Sequence, residues 1–124
     1  MAPIRKRFAE EEETTVFLVE GVAIAEEIIA AIEEFYRQGC TAKLLWDLSG
    51  ADLAGLTMEQ LRQILSVAQG YGHLRPNGKT AIVVASNLGF GLGRMYEILC
   101  ELDRHPIPLR VFKTMAEARE WLAS

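Results

Sequence analysis

The chain has 124 residues, 50% hydrophobic and 24% charged, with a formal net charge of −4. That length and balance fit one globular domain over residues 1–124 and exclude a disordered or fibrous chain. The acidic balance argues against a nucleic-acid partner, whose phosphates need a basic face.

No apolar run approaches the roughly 18 residues a bilayer span needs. The charged start carries no signal segment, so the expected location is cytoplasmic. Two cysteines, Cys40 and Cys100, lie far apart with no C-x-x-C or His/Cys spacing, which predicts free thiols and no metal or cofactor.

Ile4 to Phe8 reads as a short first strand containing Arg5-Lys6-Arg7, and the acidic run Glu10 to Glu13 as a solvated turn. Thr14-Thr15-Val16-Phe17-Leu18-Val19 has the β-branched and aromatic content of a buried strand. The short connection predicts that the two pair antiparallel. After Gly21 the period changes. Ile24, Ile28, Ile32 and Phe35 recur at helical spacing, with Glu26, Glu27, Glu33 and Glu34 opposite. Gly39 ends that helix, and no Ser, Thr, Asp or Asn opens it.

Lys43-Leu44-Leu45-Trp46-Asp47 is dense enough in apolar residues for the interior of a parallel sheet. Residues 49–56 read as the loop after it. Thr57-Met58-Glu59-Gln60 then forms a capping box, with Leu56 and Leu61 at the staple positions. Met58, Leu61, Ile64, Leu65 and Ala68 give the expected buried stripe, and Gly70 its end. A polar loop through His73, Pro76 and Gly78 leads to the strand Thr80-Ala81-Ile82-Val83-Val84-Ala85. Ser86 and Asn87 are cap candidates for a helix carrying Leu92, Met95, Tyr96, Leu99 and Leu102. Pro106 and Pro108 bracket the last strand, Leu109 to Phe112, and Thr114 to Glu117 is a second capping box before a helix to Leu122. The order β-β-α-β-α-β-α-β-α predicts an α/β domain with a mixed, mostly parallel five-stranded sheet covered by helices.

In such sheets ligands collect outside the carboxyl ends of the strands. Three polar groups fall there: Asp47 with Ser49 and Asp52, then Ser86-Asn87, then Lys113-Thr114. The segment Gly89-Phe90-Gly91-Leu92-Gly93-Arg94 could let backbone approach an anion, or could mark tight packing. Its spacing fits neither the dinucleotide fingerprint nor a P-loop. The candidate ligand or partner edge is therefore Asp47, Ser49, Asp52, Asn87, Phe90, Gly91, Arg94 and Lys113. His73 and His105 both read as solvent-exposed, and no nucleophile elbow, zinc motif or paired carboxylate is present, so no catalytic residue is assigned. Trp121 or Tyr96, if exposed, could anchor a partner.

With Leu45-Trp46-Asp47-Leu48-Ser49-Gly50 before a capped helix, the element order resembles the STAS domain of sulphate transporters and anti-sigma factor antagonists. The closer resemblance is to the SpoIIAA-like, or STAS/SEC14-domain, group of small bacterial proteins. It is carried by Asp47, Gly93-Arg94-Met95, Phe112, Ala118 and Trp121-Leu122. In the antagonists a serine at the same helix start is phosphorylated by a partner kinase. Counted from Asp47, that position is Thr57, and Gly55, Leu56 and Met58 differ from the pattern.

The resemblance implies a non-catalytic regulatory or protein-interaction module with Thr57 as a candidate phosphorylation position. The Sec14 part of the name implies an alternative, a carrier of a small apolar or lipid ligand. In that alternative residues 89–93 are a mobile lid over a pocket under Leu53, Phe90 and Tyr96. An enzyme using Asp47 and Arg94 on an anionic substrate is a third reading. A homodimer, through the first strand or an exposed helix, is compatible with all of them.

Overall fold

Strand and helix alternate as the hydrophobic pattern requires. The computed structural model describes residues 4–9 and 13–124, and Glu10, Glu11 and Glu12 of the expected acidic turn lie outside the described residues. β1 (Ile4–Ala9) and β2 (Thr14–Val22) precede α1 (Ala25–Arg37), β3 (Lys43–Asp52) and α2 (Met58–Tyr71). Then follow β4 (Lys79–Val83), α3 (Asn87–Leu102), β5 (Leu109–Phe112) and α4 (Met115–Ala123). The five strands form one sheet in sequential order. β1 and β2 are antiparallel, and every later neighbour is parallel.

Sequential order decides where the helices go. Each parallel step moves the same way across the sheet, and right-handed crossovers then place α1, α2 and α3 on one face. That face holds the larger core, with Phe17, Val19, Leu44, Trp46, Ile82 and Val84 under Ile28, Ile32, Phe35, Leu61, Ile64 and Tyr96. Phe17 stacks on Trp46 with ring centroids 4.6 Å apart and meets Phe35 edge-on. The other face buries Val16, Leu45, Ala81 and Val83 with Ala118 and Leu122 of α4.

The helix ends follow the local chemistry, with some changes from expectation. Ile24 begins α1 without a side-chain cap, and Gly39, at φ +107°, follows the C-cap Gln38 in the conformation glycine tolerates best. The box at Thr57 closes in both directions. At Thr114 the hydroxyl accepts from the Glu117 N–H, but the Glu117 carboxylate takes the threonine hydroxyl rather than its backbone N–H. Met58 is exposed rather than buried, because the first residue of α2 precedes the point where the helix crosses the sheet. Gly70 does not end α2, which reaches Tyr71 and passes into a 3-10 turn, Gly72–Leu74. Tyr71 stacks on Tyr36, centroids 5.0 Å apart, and carries the helix past the glycine.

A buried arginine closes the end of the sheet opposite the strand carboxyl termini. Arg75 is 3% exposed. Its guanidinium donates to Thr41 O, Ala42 O, Lys79 O, Thr80 Oγ1 and Tyr36 Oη over 2.7–3.3 Å. All of these acceptors are neutral, so the charge is solvated by the chain's own dipoles.

Candidate functional site

β2 and β3 leave the body of the sheet together as a two-stranded ribbon. After Leu18↔Asp47 the pairing resumes at Glu20↔Gly50 and continues to Val22↔Asp52. Leu48 and Ser49 therefore oppose Val19 alone, which is a β-bulge in β3. Asp47 secures it. Its Oδ1 accepts from the Ser49 N–H at 3.1 Å and from the Ser49 hydroxyl at 2.6 Å, so the side chain holds a donor that the bulge frees from the ladder. The expected strand end at Asp47 and the expected loop from Ser49 are thereby corrected. The strand continues because β2 also runs past Val19, giving residues 50–52 a partner.

The ribbon ends at Asp52, whose Oδ1 accepts from the Ala54 N–H at 3.0 Å and whose carbonyl accepts from the Ala23 N–H at 2.9 Å. From this edge the chain enters all four helices, so their N-terminal dipole ends face the same way. Thr57 Oγ1 accepts from the Gln60 N–H at 3.1 Å and Ser86 Oγ from the Gly89 N–H at 2.9 Å. Both hydroxyls lie on exposed residues. Val22, Ile24, Met58 and Leu88 are also exposed along this edge.

Of the sequence-predicted edge, three residues come together. Lys113 Nζ stands 3.5 Å from Asn87 Oδ1 and 4.9 Å above the centroid of Phe90. Asp47, Ser49 and Asp52 instead serve the ribbon. Arg94 pairs with Glu97, and the other Glu97 oxygen accepts from the Val111 N–H at 3.0 Å. Asp47 and Arg94 are thus each bonded within their own segments, which leaves the anion-binding enzyme reading without a joint site.

Residues 89–93 lie inside α3, so the lid reading is corrected. Ser86 caps the helix before the glycines, and a Cβ on Gly93 would stand 2.8 Å from Val111 Cγ1, so its absence lets α3 lie against β5. Gly91 is the exception, facing open space.

Glu97 is the residue sequence reasoning missed. It is buried, and it closes a donor on the edge strand β5. The available signal was an acid three residues after Arg94, between the apolar Tyr96 and Leu99.

His105 is half-buried rather than exposed, because the following turn folds it back so that its Nδ1 accepts from the Ile107 N–H at 3.1 Å. Burial, and secondarily the Arg75 charge, lowers its pKa below the ordinary value. Tyr96 is buried and Trp121 half-buried against Phe112, so neither is a free aromatic anchor. Burial pushes the Cys100 thiol up to about 12, with Asp103, Glu97 and Glu101 adding to the shift. It therefore stays protonated at neutral pH. Cys40 and Cys100 are both free.

Inside the larger core, Leu53, Leu61, Trp46 and Tyr96 border a cavity of about 100 Å³. Ligand pockets are usually about 300–1,000 Å³. Among the described residues no group of three or more His, Cys, Asp or Glu is placed to hold a metal ion. Among them, too, no helix is long and apolar enough to cross a membrane.

No family model matches the chain, and no curated protein matches it. Solved structures do. An anti-sigma factor antagonist from Mycobacterium paratuberculosis superposes with a TM-score of 0.61 at 19% identity, covering 98% of this chain and 95% of its own. The anti-sigma factor antagonist SpoIIAA in its unphosphorylated form gives a TM-score of 0.50 at 18% identity, with 96% of each chain covered. With its mixed five-stranded sheet in β-β-α-β-α-β-α-β-α order, the chain has the fold of the anti-sigma factor antagonists.

Proposed function

We infer that this chain is a non-catalytic regulatory module whose carboxyl edge docks a protein partner. The observation that carries the reading is the apolar rim at that edge. Leu88 is 57% and Val22 60% exposed, with Ile24 and Met58 at neighbouring helix starts. Single exposed hydrophobics are ordinary. Several at adjacent helix starts, set among polar groups, have the composition of a protein interface. The fold shared with anti-sigma factor antagonists supports a regulatory role.

Within this reading Asp47, Ser49 and Asp52 hold the ribbon that presents Val22, while Lys113 and Asn87, with the Phe90 ring beneath the Lys113 ammonium, form a margin. Thr57 is the modification position. Its residue is exposed and caps the N-terminus of α2. A phosphate there would add roughly −1.5 to −2 charge beside free N–H groups and a positive dipole end. That change would alter the edge without unfolding the helix. The cavity volume gives no specific support to the lipid-carrier alternative.

Affinity capture from native extract tests the reading. Wild-type protein should retain a defined partner, and Met58→Glu and Leu88→Glu should each lose it while melting within a few degrees of wild type. Thr57→Glu should change the retained amount several-fold. A partner held equally by both edge variants, or none held by wild type, would refute the assignment.

A further inference from the structure

One surface of the molecule is apolar without serving the core. Leu88, Gly91, Met95, Ile98 and Leu102 follow one another along α3 at intervals of three, four, three and four residues. Their side chains form a single stripe opposite the buried Gly89, Gly93, Tyr96 and Cys100. The four large residues are exposed, Leu102 by 73% and Ile98 by 48%. A narrow stripe of this repeat is the seam of a coiled coil, not the wider face by which a helix covers a sheet.

We propose that the stripe on α3 is a homodimer seam, on which a second copy of this chain lays its own α3 antiparallel across a two-fold axis. Shape and charge on α3 select this occupant and its register. Gly91 has nothing within 4 Å of where a Cβ would stand, which makes it the hollow of the stripe. Leu102 is its most exposed knob. An antiparallel pair that seats Leu102 of the second copy on Gly91 also places Met95 against Ile98 of that copy, and the two-fold repeats both contacts. In the same register Arg94, which pairs with Glu97 of its own chain but keeps about half of its side chain exposed, comes beside Glu101 of the second copy, once on each side of the axis. Both flank the same side of the stripe, and both are exposed. Sliding the helices by one heptad would set Arg94 against Arg94. The charges therefore favour the register that the shape favours.

The paired seam, Gly91 to Leu102, is about 17 Å long at 1.5 Å per residue, and alone it falls short of the roughly 800 Å² per partner of a standard interface. Self-association is accordingly weak, with a dissociation constant of about 10–1,000 µM.

Sedimentation equilibrium of the full chain from about 10 µM to 1 mM reads it directly. The mass should climb from 13.8 kDa toward twice that value. Ile98→Glu should hold it at the monomer value throughout, and Glu101→Arg should weaken association at least fivefold at low salt. Circular dichroism melting controls for folding, since both positions are exposed. The register is read by mixing Gly91→Cys with Leu102→Cys protein under oxidation, where a covalent dimer should form from the mixture and from neither variant alone. A chain monomeric at 1 mM, or a dimer indifferent to Ile98→Glu, overturns the proposal. A dimer without the mixed cross-link overturns the register.

Discussion

Replacing either of two glycines in α3 with alanine should shift stability in opposite directions. The intrinsic gain is common to both, about 0.5–1 kcal/mol for Gly→Ala in a helix interior. At Gly91 nothing lies within 4 Å of the new methyl group, so Gly91→Ala should stabilise the monomer by close to that amount. At Gly93 the methyl carbon would stand 2.8 Å from Val111 Cγ1 and 3.0 Å from Val111 Cγ2. Valine in a strand has little freedom to turn away, so α3 must lift off β5, at a typical overpacking cost of about 1–3 kcal/mol. Lifting also stretches the bond from the Val111 N–H to Glu97. The net expectation for Gly93→Ala is a loss of about 1–2 kcal/mol, or roughly 4–8 °C in melting temperature for a domain this size. Urea denaturation of both variants measures the two signs. A double-mutant cycle with Val111→Ala isolates the cause, since the cost of Gly93→Ala should fall by at least 1 kcal/mol in that background. Equal effects at the two glycines, or no coupling to Val111, would refute the packing argument.

Arg75→Met should cost about 3–5 kcal/mol in urea denaturation, because it leaves several buried acceptors unpaired at once. Protonating His105 would cancel the acceptor for the Ile107 N–H. Its folded pKa lies below the unfolded value of about 6.5, so the unfolded chain binds more protons in the window just beneath 6.5. Stability should therefore fall as pH drops through that window and should be unaffected by this group above it. His105→Asn should flatten the slope in denaturation curves between pH 5 and 7. Asp47→Ala should cost about 1 kcal/mol and should speed hydrogen exchange in the ribbon, at residues 20–22 and 49–52. A uniform loss of protection across the sheet would show that Asp47 does more than hold the bulge.

The element order was legible because each transition carries a local signal: the change of period after Gly21, the capping box at Thr57, and the prolines around β5. What was misread depended on contacts between distant segments. Asp47-Leu48-Ser49-Gly50 looks like a strand end because serine and glycine are common in turns. Only the continuation of β2 to Val22 gives those residues a ladder partner. The glycines of α3 lower helix propensity, yet Ser86 caps the helix and Val111 requires the space at Gly93. Glu97 was hidden for the same reason, since its partner is a backbone N–H 14 residues away on an edge strand. The edge itself could be located from topology rules alone. Its composition was only half legible. Asp47, Ser49, Asp52 and Arg94 turn to partners near them in the chain. Ile24 reads as part of the apolar stripe of α1 yet is exposed at its start, and Val22 and Leu88 carry no local signal.

Leu88 belongs to both proposed surfaces, and this allows them to be separated. It is the second residue of α3, so it stands at the carboxyl edge and at the first position of the stripe. In the register that seats Leu102 on Gly91, Leu88 lies beyond the last paired layer, level with the chain that follows α3 in the second copy. A dimer would therefore leave it exposed to a partner arriving at the edge. The expected pattern is a crossed one. Leu88→Glu should abolish partner capture while changing the self-association constant less than threefold. Ile98→Glu should abolish self-association while leaving capture on dilute protein intact. Sedimentation and affinity capture on the same two preparations measure both quantities. If each substitution removed both activities, edge and stripe would be one continuous surface taking one occupant at a time, and the second copy would compete with the partner rather than sit beside it.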